Sequence, residues 1–191
     1  MASKQRMKDA LLLAGGLIVG VGLGLFVLAL LGGIRSGRAP VDLARAGNEP
    51  AAPKVGAPAP DFELERLSGE LLRLEELRGQ PVLVNFWATW CIPCEIEMPL
   101  LQDRYERHPE LQVLAVNFAE PASQVQRFVD EHGLSFDILL DPRAIVQSAY
   151  RVRGYPTTYF IDGEGVVQAV HIGILLEKQL DDYLKDIGVG G

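Results

Sequence analysis

The chain has 191 residues, with 18 Lys/Arg against 25 Asp/Glu and a formal charge of −7. Residues 1–45 hold six of the basic and two of the acidic residues, so the remainder carries a net charge of −11. That acidity excludes the basic face that nucleic-acid binding needs, and the length allows one domain plus an accessory segment.

The accessory segment comes first. Residues 10–34 contain no charge, and residues 11–31 are almost wholly Leu, Val, Ile, Ala, Phe and Gly. At about 1.5 Å per residue such a run spans roughly 32 Å, enough to cross a hydrocarbon core. A cleaved signal peptide has an apolar region of only about 7–15 residues. The nearest small-x-small site, at Ala44 and Ala46, also lies well past the apolar end. The expectation is a short cytoplasmic N-terminus (1–10) and an uncleaved single-pass anchor (11–34) in the lipid bilayer. Lys4, Arg6 and Lys8 before the span nearly balance Arg35, Arg38 and Arg45 after it, so the positive-inside bias orients it only weakly. Residues 35–55 are rich in Pro, Ala and Gly and read as a semi-extended tether. The domain proper is expected over 56–191.

Apolar positions at 62, 64, 71, 72 and 74 around Ser68-Gly69 predict a hairpin. A buried strand follows at 82–87, then a helix over 91–108 that Pro99 is expected to kink by removing one backbone hydrogen bond. Strand 111–117, helix 122–132, strand 136–140 and a short helix at 142–150 come next. Two strands, 157–161 and 166–172, flank Asp162-Gly163-Glu164-Gly165, and a helix over 175–187 closes the chain. Strands alternating with helices imply an α/β sheet of mixed direction.

Both cysteines of the chain lie in Trp90-Cys91-Ile92-Pro93-Cys94, where the strand hands over to the helix. A helix N-terminus stabilises a thiolate through its free N–H groups and dipole. The spacing reads as a thiol–disulfide exchange site. A zinc site needs further ligands, and only the scattered His108, His132 and His171 are on offer, so no metal is expected.

The stretch Val84-Asn85-Phe86-Trp87-Ala88-Thr89-Trp90-Cys91-Ile92-Pro93-Cys94-Glu95-Ile96-Glu97-Met98-Pro99 resembles the thioredoxin-like superfamily. Within it, the resemblance is to the membrane-anchored TlpA/ResA-like thiol–disulfide oxidoreductases, and to CcmG/DsbE-type cytochrome c maturation proteins. Gly154-Tyr155-Pro156-Thr157-Thr158-Tyr159-Phe160 matches the segment that holds a cis-proline facing the disulfide in this superfamily. The implied fold is a thioredoxin-like α/β fold with an N-terminal hairpin and a central strand–helix insertion.

The implied chemistry places Cys91 as attacking nucleophile and Cys94 as the resolving thiol, the two forming a redox-active disulfide. Glu97, one turn beyond Cys94, is a candidate acid–base that exchanges a proton with it if buried. Plain thioredoxins carry a buried Asp on the preceding strand, where this chain has Asn85. Trp90, Pro93, Tyr155 and Pro156 are the candidate substrate-binding surface. The dithiol carries the electrons, so no cofactor is expected. Partners implied by the resemblance are protein thiol or disulfide substrates, apocytochrome c among them, and a membrane electron-transfer protein as reductant. An address outside the bacterial cytoplasmic membrane suits a working disulfide. The alternatives are a general reductase of exported proteins and a thiol peroxidase. Residues 57–62 resemble the opening of peroxiredoxins, but their P-x-x-x-T-x-x-C pattern fails here: Ala88 stands where the threonine belongs.

Overall fold

The fold is seen in a computed structural model of the chain, which describes residues 51–190; the expected membrane anchor and most of its tether lie outside them. Gly69, at φ 95°, turns the chain between β1 (Glu63–Arg66) and β2 (Leu71–Arg73), an antiparallel pair. A single turn of 3-10 helix at Leu74–Leu77 then delivers the chain to β3 (Val82–Trp87). Every residue of β3 is buried, as befits a run of apolar side chains covered on both faces.

After β3 come α1 (Ile92–Arg107), β4 (Gln112–Phe118), α2 (Ala122–His132), β5 (Asp137–Asp141) and α3 (Ile145–Ala149). A hairpin of β6 (Thr157–Ile161) and β7 (Val167–Ile172) leads into α4 (Glu177–Asp186). The strands form one sheet in the order β2-β1-β5-β4-β3-β6-β7. β3, β4 and β5 run parallel; β6 pairs antiparallel with β3, and β1 antiparallel with β5. The predicted mixed direction holds, and the N-terminal hairpin extends the sheet at the edge opposite β7. α1 runs through Pro99, which has no N–H to offer the preceding turn.

Alternation along β3 divides the core in two. Leu83 and Trp87 pack beneath α1, α2 and α4 with Met98, Leu101, Phe128 and Leu180. Val82, Val84 and Phe86 face the other way, onto Phe62, Leu72, Val146 and Tyr150. The period of two in a strand makes this partition automatic. Asn85 belongs to the first face, and it is the one polar side chain of the run. Among the described residues no helix is long and apolar enough to cross a membrane.

Candidate active site

β3 stops at Trp87, and four intervening residues, 88–91, lead into α1 at Ile92. Cys91 is the N-cap of that helix, with extended backbone (φ −89°, ψ 97°), and its sulfur accepts the Cys94 N–H at 3.2 Å. The Cys91 carbonyl takes the backbone N–H of both Cys94 and Glu95. Pro93 fits in the first turn because the N–H it lacks would have no helical partner there. Cys91 and Cys94 are joined as a disulfide with Cα atoms 5.2 Å apart. Cys91 is 5% exposed and Cys94 fully buried, so an incoming sulfur meets Cys91 first.

Glu97 lies one turn beyond Cys94 and is 1% exposed. Asn85 Nδ2 donates to its Oε1 at 2.7 Å, and the Leu175 backbone N–H donates to its Oε2 at 3.0 Å. Asn85 Nδ2 also donates to Thr158 Oγ1 at 2.9 Å. Burial pushes the Glu97 carboxyl up to about 7, against the two hydrogen bonds that favour its anion. Desolvation wins because two neutral donors replace only part of the hydration that a carboxylate loses. A group titrating near neutrality, beside a thiol that must lose a proton, has the right acidity for that exchange.

The turn before Cys91 is held from the far side by Glu120. Its carboxylate accepts from the Thr89 N–H at 2.7 Å, Thr89 Oγ1 at 2.5 Å, Asn117 Nδ2 at 2.7 Å and Gln124 Nε2 at 2.6 Å. Glu120 follows Ala119, which sits in the left-handed region at φ 52°. The strand–helix insertion expected from the sequence therefore supplies the clamp on the redox turn.

Across the disulfide runs the segment before β6. The Tyr155–Pro156 peptide bond is cis. The Tyr155 ring meets Trp90 edge-on at 5.7 Å and Phe118 at 5.4 Å, and its hydroxyl donates to Gln147 Oε1. Burial and the nearby Asp141 charge raise the Tyr155 phenol to about 12, so it stays neutral. Trp90, Cys91, Ile92, Pro93, Arg153 and Tyr155 line an open groove of about 550 Å³. Trp90 is 61% exposed and Ile92 69%, an apolar mouth beside the reactive sulfur.

The predicted residues Trp90, Cys91, Pro93 and Tyr155 thus share one groove, while Pro156, next in the chain to Tyr155, and Glu97 are buried. Sequence reasoning passed over Glu120, Thr158, the Leu175 amide and Arg153, and treated Asn85 only as the place of a missing acid. Asn85 carried a signal: a lone polar residue in an otherwise apolar buried strand. Among the described residues no group of three or more His, Cys, Asp or Glu could hold a metal.

The AhpC/TSA family model matches residues 55–170. The thioredoxin-like protein YneN of Bacillus subtilis (strain 168) is 43% identical over 133 residues, covering 68% of this chain and 78% of that protein. The thiol-disulfide oxidoreductase ResA of Halalkalibacterium halodurans is 42% identical over 134 residues, 69% of this chain and 76% of its own length. The chain belongs to the ResA-type thiol–disulfide oxidoreductases of the AhpC/TSA family. Solved structures of this kind share its fold. A thiol:disulfide interchange protein DsbE of Chlorobium tepidum superposes with a TM-score of 0.63 at 30% identity, covering 71% of this chain and 99% of that one. The MTB dsbF structure, in mixed oxidised and reduced forms, gives 0.63 at 28% identity over 66% of this chain and 94% of its own. For a ResA-type oxidoreductase the Cys91–Cys94 bond is the redox-active disulfide.

Proposed function

We propose that this protein is a membrane-tethered reductant working outside the cytoplasmic membrane, with apocytochrome c haem-binding cysteines as substrate. One observation carries the chemistry: a buried carboxyl titrating near pH 7, one helical turn past the resolving cysteine. The apolar run at 11–34 and the tether at 35–55 support the address, and the ResA-type resemblance supports the substrate class.

In the reduced protein the Cys91 thiolate attacks one sulfur of a substrate disulfide. The Cys91–substrate bond forms, the substrate S–S bond breaks, and the leaving sulfur takes a proton from water. Glu97 as carboxylate then accepts the Cys94 proton. The Cys94 thiolate attacks the Cys91 sulfur, closing the intramolecular disulfide and releasing the second substrate thiolate. Two electrons pass from the Cys91–Cys94 dithiol to the substrate, which leaves as a dithiol. A membrane electron-transfer protein recharges the oxidised form. Cys94→Ala lacks the resolving thiol and holds the mixed disulfide on Cys91.

The test is that trap in the full chain, followed by membrane fractionation and identification of the captured protein. Apocytochrome c in the membrane fraction supports the reading. Capture of assorted exported proteins without apocytochrome c turns it into the general reductase. Peroxide consumption without insulin reduction would replace it with a thiol peroxidase.

A further inference from the structure

Residues 142–161 carry three arginines and no Asp or Glu, in a described domain that otherwise holds 22 acidic residues against nine basic ones. Part of this basic interval, Arg153 to Tyr155, lines the groove that contains Cys91. Arg143 lines a separate cavity with Glu63, Glu65 and Glu120, where acids surround it. Arg151 and Arg153 differ. Both are exposed, and neither side chain forms an ion pair or hydrogen bond among the described residues. Elsewhere Arg66, Arg73, Arg104, Arg107, Lys178 and Lys185 pair with carboxylates and Arg78 donates to the Glu164 carbonyl, while Arg127, on α2 and not in the groove wall, resembles Arg153 in forming no ion pair. Arg153 stands in the wall of the redox groove with Trp90, Cys91 and Tyr155. Arg151 holds a left-handed backbone at φ 53°, an uncommon conformation for a residue with a side chain.

We propose that Arg153, supported by Arg151, reads a carboxylate on the partner polypeptide beside the cysteine that Cys91 attacks. The occupant is an extended segment that lays an apolar side chain on Trp90 and Ile92 and turns an Asp or Glu toward Arg153. An unpaired Arg153 in the groove wall, with Arg151 two residues before it in the chain, attracts such a segment, while the acidic surface elsewhere repels it. Attraction at one edge and repulsion around it fix orientation as well as preference. The same field disfavours a segment with Lys or Arg at that position. The proposal rests on the thiol-exchange reading and names the substrate class of that same groove.

The test uses the reduced full chain and three synthetic peptides, each with one disulfide and identical except for Glu, Gln or Lys next to the first cysteine. The expected order of kcat/KM is Glu above Gln above Lys, with Glu about two- to five-fold over Gln at low salt. The advantage shrinks as salt is raised. Arg153→Gln brings the Glu and Gln peptides to one rate, and Arg153→Glu reverses the order in favour of Lys. Each ratio is read within one preparation, so partial misfolding lowers every rate without moving it. Equal rates for the three peptides with the natural chain, or an unchanged order in Arg153→Glu, overturn the proposal. Failure to reduce any of the three would sink the exchange reading itself, and the proposal with it.

Discussion

Asn85 and Glu97 meet in a pocket closed to solvent, the Asn85 amide donating to the carboxylate at 2.7 Å. Twelve residues apart in the chain, they sit on the strand that ends at the redox turn and on the helix that starts there. The amide favours the anion, burial favours the acid, and the balance leaves the group near neutrality. Most of what can be tested about this protein follows from that opposition.

In the proposed mechanism, replacing Glu97 by Gln removes the proton acceptor for Cys94. Disulfide resolution is expected to slow by about 10²-fold or more, and the inflection near pH 7 to vanish from the rate profile. Stopped-flow exchange against a peptide disulfide, run from pH 5 to pH 9, measures both. A natural-type profile in the variant would remove Glu97 from the mechanism.

The same carboxyl links stability to pH. Its folded-state value of about 7 lies above the 4.5 of an ordinary glutamate, so between them the native state binds a proton that the unfolded chain does not. The resulting stabilisation is complete below the lower value and is lost as pH rises through 7, an effect of up to ~3 kcal/mol. The stability of Glu97→Gln relative to the natural protein should therefore climb between pH 5 and pH 8. Urea midpoints of the oxidised proteins across that range report it, and a flat difference would contradict the raised value.

Asn85→Ala deletes the charge-favouring donor. The Glu97 inflection is expected to move upward by about one unit, since a hydrogen bond to a charged group is worth roughly 1.5–3 kcal/mol. Asn85→Asp should move it further, because two carboxyls at hydrogen-bond distance cannot both ionise. Carboxyl-carbon NMR titration separates these shifts from any change in rate.

Glu120→Ala leaves the Thr89 N–H without its acceptor and frees the turn ahead of Cys91. A loss of about 1–3 kcal/mol is expected, seen as a lower Tm, together with a fall in kcat/KM. Thermal unfolding and exchange kinetics on one preparation distinguish the two. Full activity at unchanged Tm would mean the clamp has no role.

Arg104 is 6% exposed, with Asp181 at 2.7 Å and Glu177 at 3.0 Å, and it also bonds Asp103. It ties α1 to α4, and those carboxylates hold its guanidinium firmly in the charged form. Arg104→Ala is expected to cost about 1–3 kcal/mol, discounted because its partners stay partly in water. Chemical denaturation measures the loss, and a midpoint unchanged from the natural chain refutes it.

Much of the fold was legible in the chain because local rules governed it. The largely apolar strand at 82–87, the hairpin around Gly69 and the amphipathic helix at 122–132 emerged close to their expected bounds. Boundaries drifted where capping decided them: the short helix expected over 142–150 shrinks to Ile145–Ala149, begun by Asp141 accepting the Ile145 and Gln147 N–H groups. Glu120 was illegible because its four donors come from β4, α2 and the redox turn. No local pattern marks a loop carboxylate as their meeting point.

By itself the sequence determined the reactive chemistry: two cysteines three residues apart at a strand-to-helix junction, an acid one turn on, and a long uncharged apolar run before the domain. These are matters of spacing, and spacing is written in the chain. Only the tertiary structure decided how acidic Glu97 is and which faces line the groove. Sheet order brings Asn85 and Thr158 side by side, and the approach to α4 places the Leu175 amide on the carboxylate across 78 residues of chain. Desolvation depends on everything packed around a group, and a sum over distant neighbours has no local signature.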